Sequence, residues 1–220
     1  MHVGHDEARD TFLAQLSAFE VAVRDLGSRQ LLAPSRCLGW TVGDLIVHVH
    51  LALQEMLLGL VSPTDAAADS DAARYWQAPT PGDDDDLDGL RFVQRLGAAY
   101  RRPSGAVTHL LPTVAGVRSA TTALRPGRVR FQGQVLTTGD FLATWAVELA
   151  VHHLDLLRDD DPPVPAALRL ARLTVEALVG GAFPADWTDA TVALLGTGRV
   201  RPDAAQIEAA PLARELPVLT

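Results

Sequence analysis

The sequence predicts an all-α protein: a bundle of four main helices with one long crossover connection and a short C-terminal helical extension. Three observations predict it. Apolar residues recur at three- and four-residue spacing in several long segments. No series of alternating strands that would build a central sheet is present. A stretch of small and acidic residues, 62–86, sets the second helix apart from the third, as in bundles with a crossover. The 220 residues suffice for one full core. One domain is therefore expected over 1–220, with the bundle over about 6–158 and the extension over about 159–220.

The first helix is expected from about Asp6 to Leu26, because Phe12, Leu16, Phe19, Val23 and Leu26 form one apolar stripe and Gly27 stops it. The second opens at "TVGDLIVHVH" and runs to about Leu60. There Thr41 and Asp44 have the spacing of a capping box, with Asp in the place of Glu or Gln. A third helical region spans about Leu87 to Leu124 and must break at "RRPSG", since Pro103 lacks an amide donor; Pro112 can bend it again. "GRVRFQGQVL" has Val129, Phe131 and Val135 around a Gln-Gly turn, which suggests a small hairpin. The fourth helix begins at "TTGDFLATW", where Thr137 and Asp140 repeat the cap spacing, and ends before "DDDPPVP". A fifth is expected from about Ala166 to Val179, stopped by Gly180-Gly181.

Composition excludes several classes of function. The net charge of −8 argues against a nucleic-acid partner, because phosphate binding needs a basic face; all 19 basic residues are Arg. The single cysteine, Cys37, rules out an intrachain disulfide and fits a reducing cytoplasm, and Cys37 itself is expected to be a small buried thiol. The polar, acidic N-terminus is unlike a signal peptide, and no apolar run approaches the ~20 residues of a membrane span. A cytoplasmic protein without a membrane partner is expected.

The fourth helix carries the chemistry. Phe141, Trp145, Glu148, His152 and Asp155 form one stripe at spacings of four and three, flanked by Leu142, Leu149, Val151 and Leu154. A carboxylate facing a core must be paired or bound to a metal. Two readings remain open from spacing. Either Glu148 and His152 form a buried hydrogen-bonded pair, or both ligate one metal. They fill only half of a tetrahedral site, so further ligands must come from elsewhere. On the second helix His48 shares a stripe with Leu45 and Ala52, whereas His50 is rotated roughly 200° away. His50 and His153 are left outside the site. A His, Glu, His set with an open fourth position is the pattern of catalytic zinc, and it also suits nickel, iron or manganese. Asp155 is placed to orient an imidazole from behind.

"W-TVGDLIVH" (40–48) resembles the second-helix signature of the mycothiol-dependent maleylpyruvate isomerase N-terminal domain family, within the DinB-like group of four-helix bundles. "FLATWAVELAVHHLDL" (141–156) is similar to that family's fourth-helix signature of Glu, three residues, His, two residues and Asp. The resemblance covers about 8–158 and implies a DinB-like bundle with a divalent metal, zinc foremost, held by His48, Glu148 and His152. It also implies a low-molecular-weight thiol, mycothiol or another, and a small electrophilic substrate. Trp145 stands where relatives carry Arg, and the remainder after Pro165 does not match the isomerase's C-terminal domain. The leading expectation is a thiol-dependent transferase or isomerase. The alternatives are a non-enzymatic bundle that binds metal or a small molecule, or dimerises to a homodimer, and a metal-dependent hydrolase.

Weaker signals point elsewhere. "DDDDLDG" (83–89) approximates a calcium loop, but Arg95 stands where the bidentate Glu belongs, so a solvated acidic run leading into a helix is expected. "LLGTGRV" (194–200) is a turn and no phosphate loop; its Arg199 is the candidate to hold a substrate carboxylate if the tail folds over the metal. His109 is expected to be structural, and His2 and His5 to lie in a mobile N-terminus.

Overall fold

The computed structural model describes residues 1–77, 86–158 and 160–219. Nine α-helices and one two-stranded hairpin are found among the described residues. The helical periodicity of the sequence dictates most of them. Helix α1 (His5–Arg24) buries Phe12, Leu16, Phe19 and Val23 completely as one stripe. It ends two residues before Leu26, which is still buried, and Gly27 opens a four-residue helix α2 (Ser28–Leu31) that the periodicity does not reveal. Helix α3 (Val42–Leu60) starts on the expected capping box. The Thr41 amide donates to Asp44 Oδ2 at 3.0 Å, and the Asp44 amide donates to Thr41 Oγ1 at 3.1 Å. By length and composition α3 passes for a membrane span, against the expectation that no segment would; in the fold Leu45, Ile46, Val49, Leu53 and Met56 face the bundle core.

The third helical region is two helices, α4 (Asp86–Ala99) and α5 (Ser104–Ala123), interrupted at Pro103 as expected, while α5 continues through Pro112. The start of the acidic run, 83–85, lies outside the described residues. Strands β1 (Arg128–Phe131) and β2 (Gln134–Thr137) form the hairpin, with Phe131 paired to Gln134. Gln132 and Gly133 both have positive φ, 46° and 79°, the twist a two-residue hairpin turn needs.

Helix α6 (Thr138–Asp155) is central and nearly all buried. Thr137 Oγ1 accepts the Asp140 amide at 3.1 Å, but the reciprocal bond expected from Asp140 is absent. Its carboxylate instead takes His2 Nδ1 at 2.8 Å and the Val3 amide at 2.9 Å, and His5 Nδ1 meets Thr138 Oγ1 at 2.8 Å. The N-terminal residues expected to be mobile are thus anchored to the start of α6, because a buried carboxylate there demands donors.

Helices α1, α3, α5 and α6 are the bundle: α1 packs on α6 and α5, and α3 on α5 and α6. The extension follows as α7 (Pro165–Val179), α8 (Asp189–Gly196), α9 (Ala204–Ala209) and a final 3-10 turn. Gly180, at φ 73°, caps α7 in the left-handed conformation. Helix α7 packs against α6 and α8 against α7, so the extension lies along the helix that carries the polar stripe.

Candidate metal centre

The stripe on α6 divides in the structure. Phe141 and Trp145 join Phe131 in an aromatic cluster, with ring centroids 5.3 to 6.3 Å apart. Glu148, His152 and Asp155 turn toward His48 and the loop before α3. His48 Nε2 lies 3.1 Å from His152 Nε2 and 3.7 Å from Glu148 Oε1, and His152 Nε2 lies 3.1 Å from Glu148 Oε1. Three donor atoms from two helices converge on one point. Trp40, in the loop between α2 and α3, packs its ring 5.0 Å from that of His48.

The donor chemistry fits a metal. Tetrahedral zinc with N and O ligands at about 2.0–2.1 Å requires donors about 3.3 Å apart, within the observed 3.1–3.7 Å. The other ring nitrogen of His152 faces Asp155 Oδ2 at 3.1 Å. A carboxylate only accepts, so Nδ1 carries the proton and Nε2 of the neutral ring presents its lone pair to Glu148 and His48. Electron pairs aimed at one another need a cation between them, either a proton or a metal ion.

Electrostatics show the same demand. Burial pushes His152 down, but the charge of Glu148 and hydrogen bonds with Asp155, Cys37 and Glu148 outweigh it and hold its pKa well above the ordinary value. Burial raises Glu148, yet the charge of His152 and hydrogen bonds from both histidines keep its carboxyl well below the usual range. His48 is lowered, mainly by burial. This direction favours a proton on His152 in the metal-free chain, which a metal held by the three residues would displace. In that form the ion pair stabilises the fold fully below the ordinary histidine pKa, and this contribution is lost as pH rises through the raised one. Zinc affinity is accordingly expected to rise with pH, with about one proton released per zinc near neutrality. Calorimetry in buffers of different ionisation enthalpy measures that count, and zero protons would contradict it.

A second donor cluster, Cys37, His152 and Asp155, lies behind the first. It needs no metal. Asp155 is fully buried, and its Oδ2 accepts from Cys37 Sγ at 3.1 Å, from His152 and from Arg199 Nη2 at 3.2 Å, while Oδ1 takes Arg199 Nε at 3.4 Å. The guanidinium supplies the cation there. Despite burial, His152 and Arg199 keep Asp155 below the carboxylate range. Arg199, the candidate to hold a substrate carboxylate, has its Nε and Nη2 on the Asp155 carboxylate. Cys37 is half-buried, not a fully buried thiol, and belongs to this cluster.

The other histidines lie elsewhere. His153 turns to α1, where it faces Gln15 Nε2 at 3.0 Å, and burial lowers its pKa to about 4. His50 lies beside His109, on the side of α3 away from His48. Cys37 is the site residue the sequence does not announce; it and Trp40, which opens the 40–48 signature, come from a loop without periodicity, held by the bond from the Arg36 amide to the Asp155 carbonyl at 2.9 Å.

Fold and site together define a helical bundle with a His-Glu-His donor set between two of its helices. The chain belongs to the mycothiol maleylpyruvate isomerase N-terminal domain family, whose model matches residues 12–157. Among solved structures it is similar to a histidine-to-alanine variant of the mycothiol-dependent maleylpyruvate isomerase. The TM-score is 0.55 at 15% identity, over 82% of this chain and 73% of that one. That likeness shows a shared helical fold. No curated protein matches.

Proposed function

We propose that this protein is a metal- and thiol-dependent enzyme that joins a low-molecular-weight thiol to a small electrophile, or isomerises it through such an adduct. The observation that carries the reading is the convergence of His48 Nε2, Glu148 Oε1 and His152 Nε2 within 3.7 Å of one another. The thiol is supported by the family and by the neighbouring structure, both named for mycothiol. A divalent metal, zinc by its donor set, would be held by these three residues and would acidify a bound thiol, so that it reacts as thiolate at neutral pH.

The chain's own residues set the stage for that chemistry. The His48 and Glu148 side chains are 31% and 28% exposed, so the centre is approachable from their side, while His152 is 7% exposed and closed off. Asp155 fixes the His152 tautomer. Cys37, the single thiol, is engaged by Asp155 behind the imidazole, so the nucleophile comes from outside the chain. In transfer, an S–C bond forms as the leaving group departs with its electron pair. In isomerisation, the thiolate adds to a conjugated double bond, the bond rotates, and the thiolate is expelled again.

The test is turnover of a bimane or maleyl electrophile by zinc-loaded protein with mycothiol. Thiol-dependent product formation above the uncatalysed rate, lost in His48→Ala, is expected. No acceleration with mycothiol or other small thiols, or ester cleavage that needs no thiol, would overturn the reading.

A further inference from the structure

We infer that Arg199 is a positioning residue for the metal centre, acting through Asp155 on His152. The inference rests on the metal reading above and adds a residue from the C-terminal extension, which no ligand pattern points to. Arg199 Nε and Nη2 reach both oxygens of the Asp155 carboxylate, at 3.4 and 3.2 Å. Asp155 lies at the last residue of α6, three positions beyond His152. With the guanidinium on one side and the Cys37 thiol on another, the carboxylate cannot rotate without breaking charge-assisted bonds, and Oδ2 stays on His152 Nδ1.

The extension is built to hold Arg199 still. Helix α8 approaches α7 so closely that a Cβ on Gly196 would meet Val175 Cγ2 at 2.3 Å. The Gly196 carbonyl accepts the Val218 and Leu219 amides, both at 2.9 Å, which ties the end of the described chain to this turn. Gly198, at φ 68°, reverses the backbone, and Arg199 Nη1 donates to the Thr197 carbonyl at 3.2 Å. Since α7 packs on α6, the path from α6 through α7 and α8 to Arg199 returns to α6 as a closed ring. A surface ion pair serving only stability would need neither the fork on a fully buried carboxylate nor this support.

Partners that orient a metal-bound imidazole change metal affinity by about 10–100-fold. The experiment compares wild type, Arg199→Ala and Arg199→Lys as full-length chains. It measures zinc affinity by competition with a chromophoric chelator, the visible spectrum of the cobalt-substituted protein, and thermal unfolding of the metal-free forms. Arg199→Ala is expected to bind zinc 10–100-fold more weakly with an altered cobalt spectrum, and Arg199→Lys to recover part of the loss. If Arg199→Ala does not fold, the comparison passes to Arg199→Lys, which retains the charge without the fork and must still weaken zinc binding and alter the cobalt spectrum. Wild-type affinity and spectrum in the folded variants would overturn the inference and leave the centre standing. Failure of wild type to bind zinc would overturn the centre and the inference with it.

Discussion

Glu148→Ala is expected to weaken zinc binding by more than about 100-fold, beyond the range of a group that only orients a ligand. Glu148 is the one anionic donor of the three, and its Oε1 is within 3.7 Å of both imidazole nitrogens. Its removal takes away a ligand and the charge that offsets the cation. In the metal-free chain it also removes the main influence that raises His152, so the pH at which His152 loses its proton must fall. Glu148→Gln keeps the shape and one oxygen but not the charge, and should fall between wild type and Ala. Zinc competition and NMR titration of the His152 ring give both quantities. Unchanged affinity in Glu148→Ala would mean that the carboxylate is a buried ion-pair partner and not a ligand.

Phe141→Ala is expected to destabilise the fold by about 3–5 kcal/mol, the usual cost of emptying a buried phenylalanine site. Phe141 is completely buried two turns before Glu148 on the same stripe. Its ring lies against Phe131 and Trp145, and a Cβ on Gly59 would come within 2.6 Å of its Cζ. Neighbours on α3, β1 and α6 therefore lose contact together, and the rigid rings cannot close the cavity. Urea unfolding of the metal-free protein measures the change, and a loss under about 1 kcal/mol would contradict it. The two variants should separate cleanly. Phe141→Ala lowers stability while its folded fraction still takes up zinc, whereas Glu148→Ala loses zinc uptake in protein that still folds. One stripe thus has an apolar half that builds the bundle and a polar half that meets His48.

Much of this arrangement is visible in the chain itself. The stripe from Phe12 to Val23, the Thr41 cap, the break at Pro103 and the Gln-Gly turn are local signals, and the structure follows each of them. His48 and His152 are found because helical spacing puts them on inward stripes, and α3 and α6 bring those stripes together. What local pattern cannot supply is the partner of a residue far away in the chain. Cys37 meets Asp155 across 118 positions and Arg199 meets it across 44, from irregular segments whose path depends on packing. His2 and His5 are anchored for the same reason: the buried Asp140 and Thr138 that receive them sit more than 130 residues later.

The most direct test of the centre is the metal bound to untagged protein purified without chelator, with X-ray absorption at that metal's edge. The account predicts about one zinc or similar divalent ion per chain, with two imidazole nitrogens and one carboxylate oxygen in its shell, and loss of the ion in His48→Ala. Protein that carries no metal and takes up none from added zinc or nickel would contradict it, leaving Glu148 and His152 as a buried ion pair in a DinB-like bundle.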